Sequence, residues 1–462
     1  MTAYLVNPLS LFLGVWGVAT FLYLGGVRAG AFPSPQPLLM AALLLNVGTF
    51  SLGYLTWSLF RDLPPRLPGR AVSAAPGGGL ACPPFTRDRL ARALRIILLI
   101  GLVSLVIEMY RLATLASHFH TTWSYLVTHP SVLRLRLVMF MSATVFQASL
   151  TVMLLSLTNS IFSIGFILLG LFLYVDRTRW KYFYLSAFLF ISLVVGLFHL
   201  SRYEVTANIL YLVLAYCFVH AQDSSKPVGW ALAHADGSGD RRKQPGLKPI
   251  LQLLIPIFAV VLLFIAIDLL LRKSAAYGRA NRLQGFAFHL YWYIASPLAA
   301  FNEFLSTFND VHEWGQNTFF PIYKWLCRFG LAQQTEVSVY GERVYLPYLA
   351  NVYTYLRNFY ADFGLLGVAL APYALGWLTA AVQYQARRYV HYLNLYIVLL
   401  MFILFSFYNF FLSSNQIYLQ ILFGFVFFRY DMPTARVPKE TLHSADVHHG
   451  LGCLSRIEEP NA

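Results

Sequence analysis

The sequence predicts an all-α polytopic membrane protein, and three observations carry that prediction. Of its 462 residues 58% are hydrophobic and only 12% are charged, about half the charged share of a soluble domain. Apolar runs able to cross a hydrocarbon core of about 30 Å recur along the chain, about 11 to 12 of them. The basic residues behind a net charge of +14 gather in short loops between those runs, as the orientation of membrane helices requires.

The composition narrows the function classes. The 29 Tyr, 38 Phe and 9 Trp suit a chain with many bilayer interfaces, where amphipathic rings settle at headgroup level. Basic residues in inter-helix loops mark topology and argue against a nucleic-acid partner. Cys82, Cys217, Cys327 and Cys453 are scattered, with no CxxC and no Cys/His spacing of a metal site. Neither a disulfide framework nor a bound metal is expected, and no cofactor is called for.

Taken in order, the runs begin near Pro8, Gln36, Leu94, Leu137, Ser160, Tyr182, Glu204, Pro249, Asp362, Tyr392 and Gln416. The first, Pro8 to Leu24, lacks a basic leader and a clear small-residue cleavage site, which predicts a retained helix. Thr158-Asn159-Ser160 reads as a hairpin-like break between the fourth and fifth runs. The basic stretches 176–181, 226–248 and 387–388 are placed on the cytoplasmic side. Counting helices then puts Arg202, segment 272–361 and Ser413-Ser414 outside, and the C-terminal tail inside. The first three helices resist this scheme, because the Pro/Gly-rich segment from Arg61 to Arg95 is strongly basic yet counts as external. Either the N-terminus is external or the count misses an element between Ser117 and Arg136, a partly amphipathic stretch that reads as a re-entrant or interfacial helix.

Four divisions follow. Residues 1–271 hold the N-terminal membrane helices with a cytoplasmic loop over about 222–248. Residues 272–361 form a large external loop, 362–431 the C-terminal membrane helices, and 432–462 a tail whose composition suits disorder. The linker Ala74 to Pro84 is similar, and His443, His448 and His449 of the tail receive no role. The loop 272–361 is rich in Tyr, Trp, Phe and Asn. A connection that long is uncommon unless functional or disordered, and its composition argues for order.

Charges at membrane depth are costly unless they pair, line a wet cavity or do work. Glu108, Arg111, Asp268 and Arg202 are such charges, Arg202 being equally readable as an arginine that snorkels to headgroups. Arg272, Lys273, Arg279, Arg282, Arg343 and Arg357 then gather in the external segment, against the usual inward bias. Guanidinium groups meet diphosphate oxygens in a bidentate way, so the cluster suits a lipid pyrophosphate, or anionic lipid in general. Glu303, Asp310, Glu313, Glu336, Glu342 and Asp362, with His289 and His312, supply possible bases. Tyr291, Trp292, Tyr293, Trp314, Tyr345 and Tyr348 are able to stack on sugar rings or to pack the loop. No Walker loop, dinucleotide fingerprint or nucleophile elbow occurs, and no close pair of aspartates suggests a metal-dependent transferase.

Three stretches carry a family resemblance. They are Tyr293-Ile294-Ala295-Ser296-Pro297-Leu298 with Phe301-Asn302, Gly315-Gln316-Asn317-Thr318-Phe319 with Pro321, and Asn351-Val352-Tyr353-Thr354-Tyr355-Leu356-Arg357 with Tyr360-Ala361-Asp362-Phe363-Gly364-Leu365-Leu366-Gly367. With Ser201-Arg202, they resemble the Wzy-type polymerases of lipid-linked oligosaccharide repeat units, the O-antigen polymerases. The resemblance covers roughly Leu200 to Gly367, and the first 180 residues match only in helix pattern.

The resemblance implies a GT-C-like membrane glycosyltransferase of the bacterial inner membrane, with a large helical external loop and its site facing the periplasm. It implies no nucleotide sugar and no metal. The substrates would be glycans linked to undecaprenyl pyrophosphate, as in lipopolysaccharide biosynthesis, and the partners a flippase, a chain-length regulator and the bilayer itself. Arg202, Arg282, Arg343 and Arg357 would hold the leaving pyrophosphate. Asp362 would orient or deprotonate the acceptor, with Glu303 as second choice. Tyr293 and Tyr353 would line the sugar path, and Asn351 and Thr354 would fix the loop. Asp362 also reads as an acid that stabilises the start of its own helix. An O-antigen ligase-like glycan transferase and a transporter of lipid-linked oligosaccharide remain the alternatives.

Overall fold

The computed structural model describes residues 6–61, 87–118, 120, 122, 150–176, 178–199, 202–224, 282–308, 314–332, 344–346, 349–350, 352–387, 389–408 and 414–430. Among them the helices are α1 (Pro8–Arg28), α2 (Pro37–Arg61), α3 (Arg87–His118), α4 (Leu150–Val175), α5 (Trp180–His199) and α6 (Arg202–Ser224). They continue with α7 (Arg282–Thr307), α8 (Phe320–Arg328), α9 (Leu356–Ala386), α10 (His391–Phe405) and α11 (Asn415–Tyr430). A two-stranded antiparallel ribbon, β1 (Val344–Tyr345) and β2 (Leu349–Ala350), precedes α9. α1, α2, α3, α4, α6 and α9 are long and apolar enough to cross a bilayer, and α5, α10 and α11 are shorter apolar helices. The chain is an all-α, multi-pass membrane protein. The runs expected near Leu137 and Pro249, the linker 74–84, the loop 226–248 and the tail lie outside the described residues.

Local chemistry sets the first hairpin. The Asn7 side chain accepts from the backbone N–H groups of Leu9 and Ser10, at 3.0 and 3.2 Å, and Pro8 opens α1, where its missing N–H costs nothing. α1 folds back on α2, with Phe12 and Phe50 stacked at 3.7 Å. α2 then lies against α9 through two glycines. A Cβ on Gly53 would strike the Tyr373 carbonyl, and one on Gly376 the Phe50 carbonyl. Between apolar helices in lipid, such small residues let backbones approach where no hydrophobic drive exists.

α4 and α6 form the interior of the second half. About 61% and 67% of their apolar windows are buried, against 33%, 33% and 28% for α1, α2 and α3. The two are parallel neighbours, since Ser163 donates to Asn208 Oδ1 at 2.9 Å and Gly170 faces Leu212 and Ala215. Asn208 Nδ2 in turn donates to Ser192 on α5 at 3.0 Å.

The expected break at Thr158-Asn159-Ser160 is corrected: these residues sit inside the continuous helix α4. The Thr158 hydroxyl donates to the Leu154 carbonyl at 2.9 Å, and Ser160 to Ser156 at 2.5 Å. The hydroxyls are thus satisfied within the helix, whose backbone has no other partner in lipid. Asn159 accepts from Ser104 on α3 at 2.5 Å, and Ser160 also reaches the Gln416 carbonyl of α11 at 3.0 Å. The polar triplet marks a helix-helix seam.

That correction also resolves the topology of the first three helices. Arg87, at the start of α3, pairs with Asp176 just beyond α4 at 2.9 Å and donates to Thr178 at 3.2 Å. Val6 accepts from Gln383, late in α9, and from Tyr396, early in α10. Phe218, late in α6, meets Tyr396 at 5.2 Å. The start of α1, the end of α2, the start of α3 and the 176–181 and 387–391 turns therefore share one end of the bundle. The described basic residue Arg87 lies at that end with the 176–181 and 387–391 turns, with no external N-terminus required. In sealed vesicles, with the native cysteines replaced by alanine, Asp88→Cys and Thr178→Cys should react with an impermeant maleimide from the same side. Ser414→Cys should react only from the other, and labelling of positions 88 and 178 from opposite sides would sink this topology.

Candidate functional site

At the end of the bundle opposite the basic turns, the three motif stretches meet. α7 packs across the α1–α2 connection: Phe32 contacts Tyr291 and Trp292, with ring centres 6.0 and 5.2 Å apart. Asn302 accepts from the Gln36 N–H at 2.9 Å and donates to the Ser34 carbonyl at 3.2 Å. Burial raises the Tyr291 phenol above its ordinary pKa by disfavouring the phenolate. From this anchored helix Phe301, Phe304 and Phe308 project along one face and meet Tyr360 of α9 at 6.3, 6.4 and 5.6 Å.

Arg357 lies on this aromatic wall. Its guanidinium carbon is 4.5 Å from the centre of the Tyr353 ring and 4.8 Å from that of Phe304, and the residue is half-buried. Two rings standing at 75° to each other hold the cation between them. The chain leading to it runs through the buried Thr354 and Tyr355. The Tyr355 N–H donates to the Ser406 carbonyl at 2.9 Å, its hydroxyl donates to Asn46 Oδ1 at 2.6 Å, and Trp16 Nε1 donates to Ser406 Oγ at 2.9 Å. Three separate parts of the sequence, at Trp16, Asn46 and Ser406, thereby lock residues 353–357 from below.

Asp362 secures the other side. Its carboxylate is fully buried, and Oδ1 accepts from the Asn317 N–H and Nδ2 at 3.1 and 3.0 Å while Oδ2 accepts from the Thr318 N–H at 2.6 Å. Asn358 Nδ2 donates to the Asn317 carbonyl at 3.3 Å. The carboxylate thus holds the turn that leads into α8, satisfying the backbone N–H groups of Asn317 and Thr318. It secures a turn of a distant segment rather than the start of its own helix, because α9 begins at Leu356, inside the expected external loop.

α9 then folds back at Gly364, whose φ of 60° and ψ of −148° fall in a region that glycine alone occupies readily. Gly367 comes against the Phe359 carbonyl, eight positions earlier. In a straight helix those positions would be about 12 Å apart along the axis. Ahead of the corner, Arg357 meets Phe304 of α7 and Asp362 meets the 317–318 turn.

The remaining expected site residues fall in different places. Arg202 and Arg282 are the first residues of α6 and α7, with their side chains outside the described set, as is that of His289. Arg343, Asn351, Asp268, Arg272, Lys273, Arg279, Asp310, His312, Glu313, Glu336, Glu342 and Tyr348 lie outside the described residues. Glu303 is half-buried beside Phe304, but one helical step turns it about 100° from the phenylalanine face. Tyr293 packs on Tyr408 at 5.6 Å, and its distance along α7 from Phe304, about 16 Å, separates it from the Arg357 wall. Trp292 is a packing residue, whereas Trp314 and Tyr345 are each 83% exposed.

Sequence reasoning missed the Trp16, Asn46, Tyr355 and Ser406 node, whose signal was a lone Asn in an apolar run. It also missed Thr318 and found only a loop-fixing role for Thr354. Both hydroxyls are buried without a hydrogen-bond partner among the described residues, an arrangement native proteins leave rarely. Among the described residues no group of three or more His, Cys, Asp or Glu is placed to hold a metal ion. No family model, curated protein or solved structure matches the chain.

Proposed function

We propose that this protein is a membrane glycosyltransferase that polymerises oligosaccharide repeat units carried on undecaprenyl pyrophosphate, working in the bacterial inner membrane with its site on the periplasmic side. The observation that carries the reading is the convergence of the three motif stretches. Phe301 and Phe304, the Asn317-Thr318 turn and the 353–362 segment are brought together by the Arg357 stack and the Asp362 hydrogen bonds.

In the reaction an acceptor sugar hydroxyl attacks the anomeric carbon of the nascent chain. The bond from that carbon to the pyrophosphate oxygen breaks, and undecaprenyl pyrophosphate leaves with the electron pair. Arg357, held over two rings, is the described cation that would meet that charge, with Arg202 and Arg282 at the starts of their helices as its companions. A donor already oriented needs no reorganisation as the charge develops. Among the described residues of the external segment, Glu303 would receive the hydroxyl proton, its side chain first turning toward the Phe304 face. Asp362 serves as a positioning residue, since both of its oxygens accept hydrogen bonds from the 317–318 turn. A flippase would deliver the units and a chain-length regulator would set when growth stops.

The purified chain in lipid, given only undecaprenyl-pyrophosphate repeat units, should produce a ladder of products by gel and mass spectrometry. Arg357→Ala should slow it about 100- to 1000-fold, the loss typical of one preorganised charge-stabilising donor, with normal insertion. Arg202→Ala should act in the same direction. A ladder of wild-type height from both variants would remove the arginines from the site, and transfer to a different acceptor without a ladder would favour a ligase.

A further inference from the structure

α8 presents its apolar side outward. Ile322, Trp325, Leu326 and Phe329 recur at the spacing of one helical face and are 48%, 40%, 38% and 70% exposed, while Phe320 beneath is 5% exposed. The face continues into Leu331, 73% exposed, because the Leu331 N–H turns back to the Leu326 carbonyl at 2.9 Å and Gly330 takes a φ of 71°. By helical spacing Lys324 falls on the opposite half of the helix, and residues 314–332 contain no Asp or Glu. Soluble surfaces rarely leave such a patch bare.

The position of the helix says what covers it. Asp362 grips Asn317 and Thr318, immediately before α8, and within a few residues α9 begins its run through the bundle with Leu365, Leu366 and Leu370 exposed. Those leucines belong to a candidate membrane span. The apolar side of α8 therefore starts where the lipid-facing surface of α9 starts. We infer that α8 is an interfacial lipid-binding helix, with Ile322, Trp325, Leu326 and Phe329 seated in the bilayer leaflet at this end of the molecule. Lys324, on the other half of the helix, faces the phosphate headgroups, the arrangement of basic amphipathic helices on anionic membranes. This places the Arg357 wall at the level of the lipid headgroups, and the inference stands independently of the polymerase reading.

The test uses the full-length chain in nanodiscs of phosphatidylethanolamine and phosphatidylglycerol. Photoreactive benzoylphenylalanine replaces Phe329 in one variant, Ile322 in a second and Lys324 in a third. After illumination, mass spectrometry should find phospholipid adducts at 329 and 322 in several-fold higher yield than at 324. Adducts of twice the chain mass at 329 and 322 would assign the face to a second copy and overturn the inference. Equal lipid yields at all three positions, or none at 329 and 322, would overturn it as well.

Discussion

Asp362→Ala should unfold the corner that joins α8 to α9 and should cost about 4 kcal/mol. The carboxylate accepts three N–H donors from Asn317 and Thr318 in a fully buried position. Hydrogen bonds to a charged group contribute about 1.5–3 kcal/mol each, and donors left behind without water cost more than the mean. Truncation removes the acceptor from the Asn317 and Thr318 backbone N–H groups in the turn before α8. Thermal unfolding in detergent measures the loss, and Asp362→Asn separates the two roles open to this residue. An amide keeps one acceptor oxygen but turns an NH2 group toward a donor, so stability should fall by about half as much. If Asp362 positions the turn, the Asn variant retains product formation in proportion to its folded fraction. An Asn variant that is fully folded and inactive would return Asp362 to the role of base.

Gly364→Ala is expected to have the second-largest effect, about 2–3 kcal/mol. At a φ of 60° and ψ of −148°, a Cβ meets its own backbone, and relaxation would have to straighten α9. Straightening is blocked by two fixed points: Tyr355 hydrogen-bonded to Asn46 and Ser406 below, and Asp362 bonded to the 317–318 turn above. Gly367→Val should be comparably harmful, because the new side chain meets the Phe359 carbonyl, a backbone atom that cannot rotate away. Both variants should lower the unfolding temperature, while Gly48→Ala, which has open space around its Cβ, should leave it unchanged. Wild-type stability in Gly364→Ala would show that the corner is not a fixed feature of α9.

The membrane class and the apolar spans were legible in the sequence because hydropathy sums over neighbouring residues, and neighbours in a span share its environment. The topology was not, and the reason lies in Thr158-Asn159-Ser160. A polar triplet inside an apolar run resembles a turn when its partners are unknown. Ser104 and the Gln416 carbonyl supply those partners, and with them the triplet becomes part of a helix and the charge pattern falls into register. Arg357 could be singled out from its place among the external arginines, yet nothing near it indicated Phe304, since the cation and its ring belong to different elements. Asp362 was visible as an acid next to Gly364. That its oxygens serve the turn before α8 is a fact about a distant segment.

By itself, then, the sequence determined that the chain lies in a membrane, where most of its helices run, and which loops carry the positive charge. These follow from solvation and from backbone hydrogen bonds closed within each helix, both local quantities. Only the tertiary structure decided which polar groups meet: Trp16 with Ser406, Asn46 with Tyr355, Arg87 with Asp176, Asp362 with Thr318. Each pair joins residues far apart in the chain, and a lone polar side chain carries no mark of the partner that will satisfy it in the folded bundle.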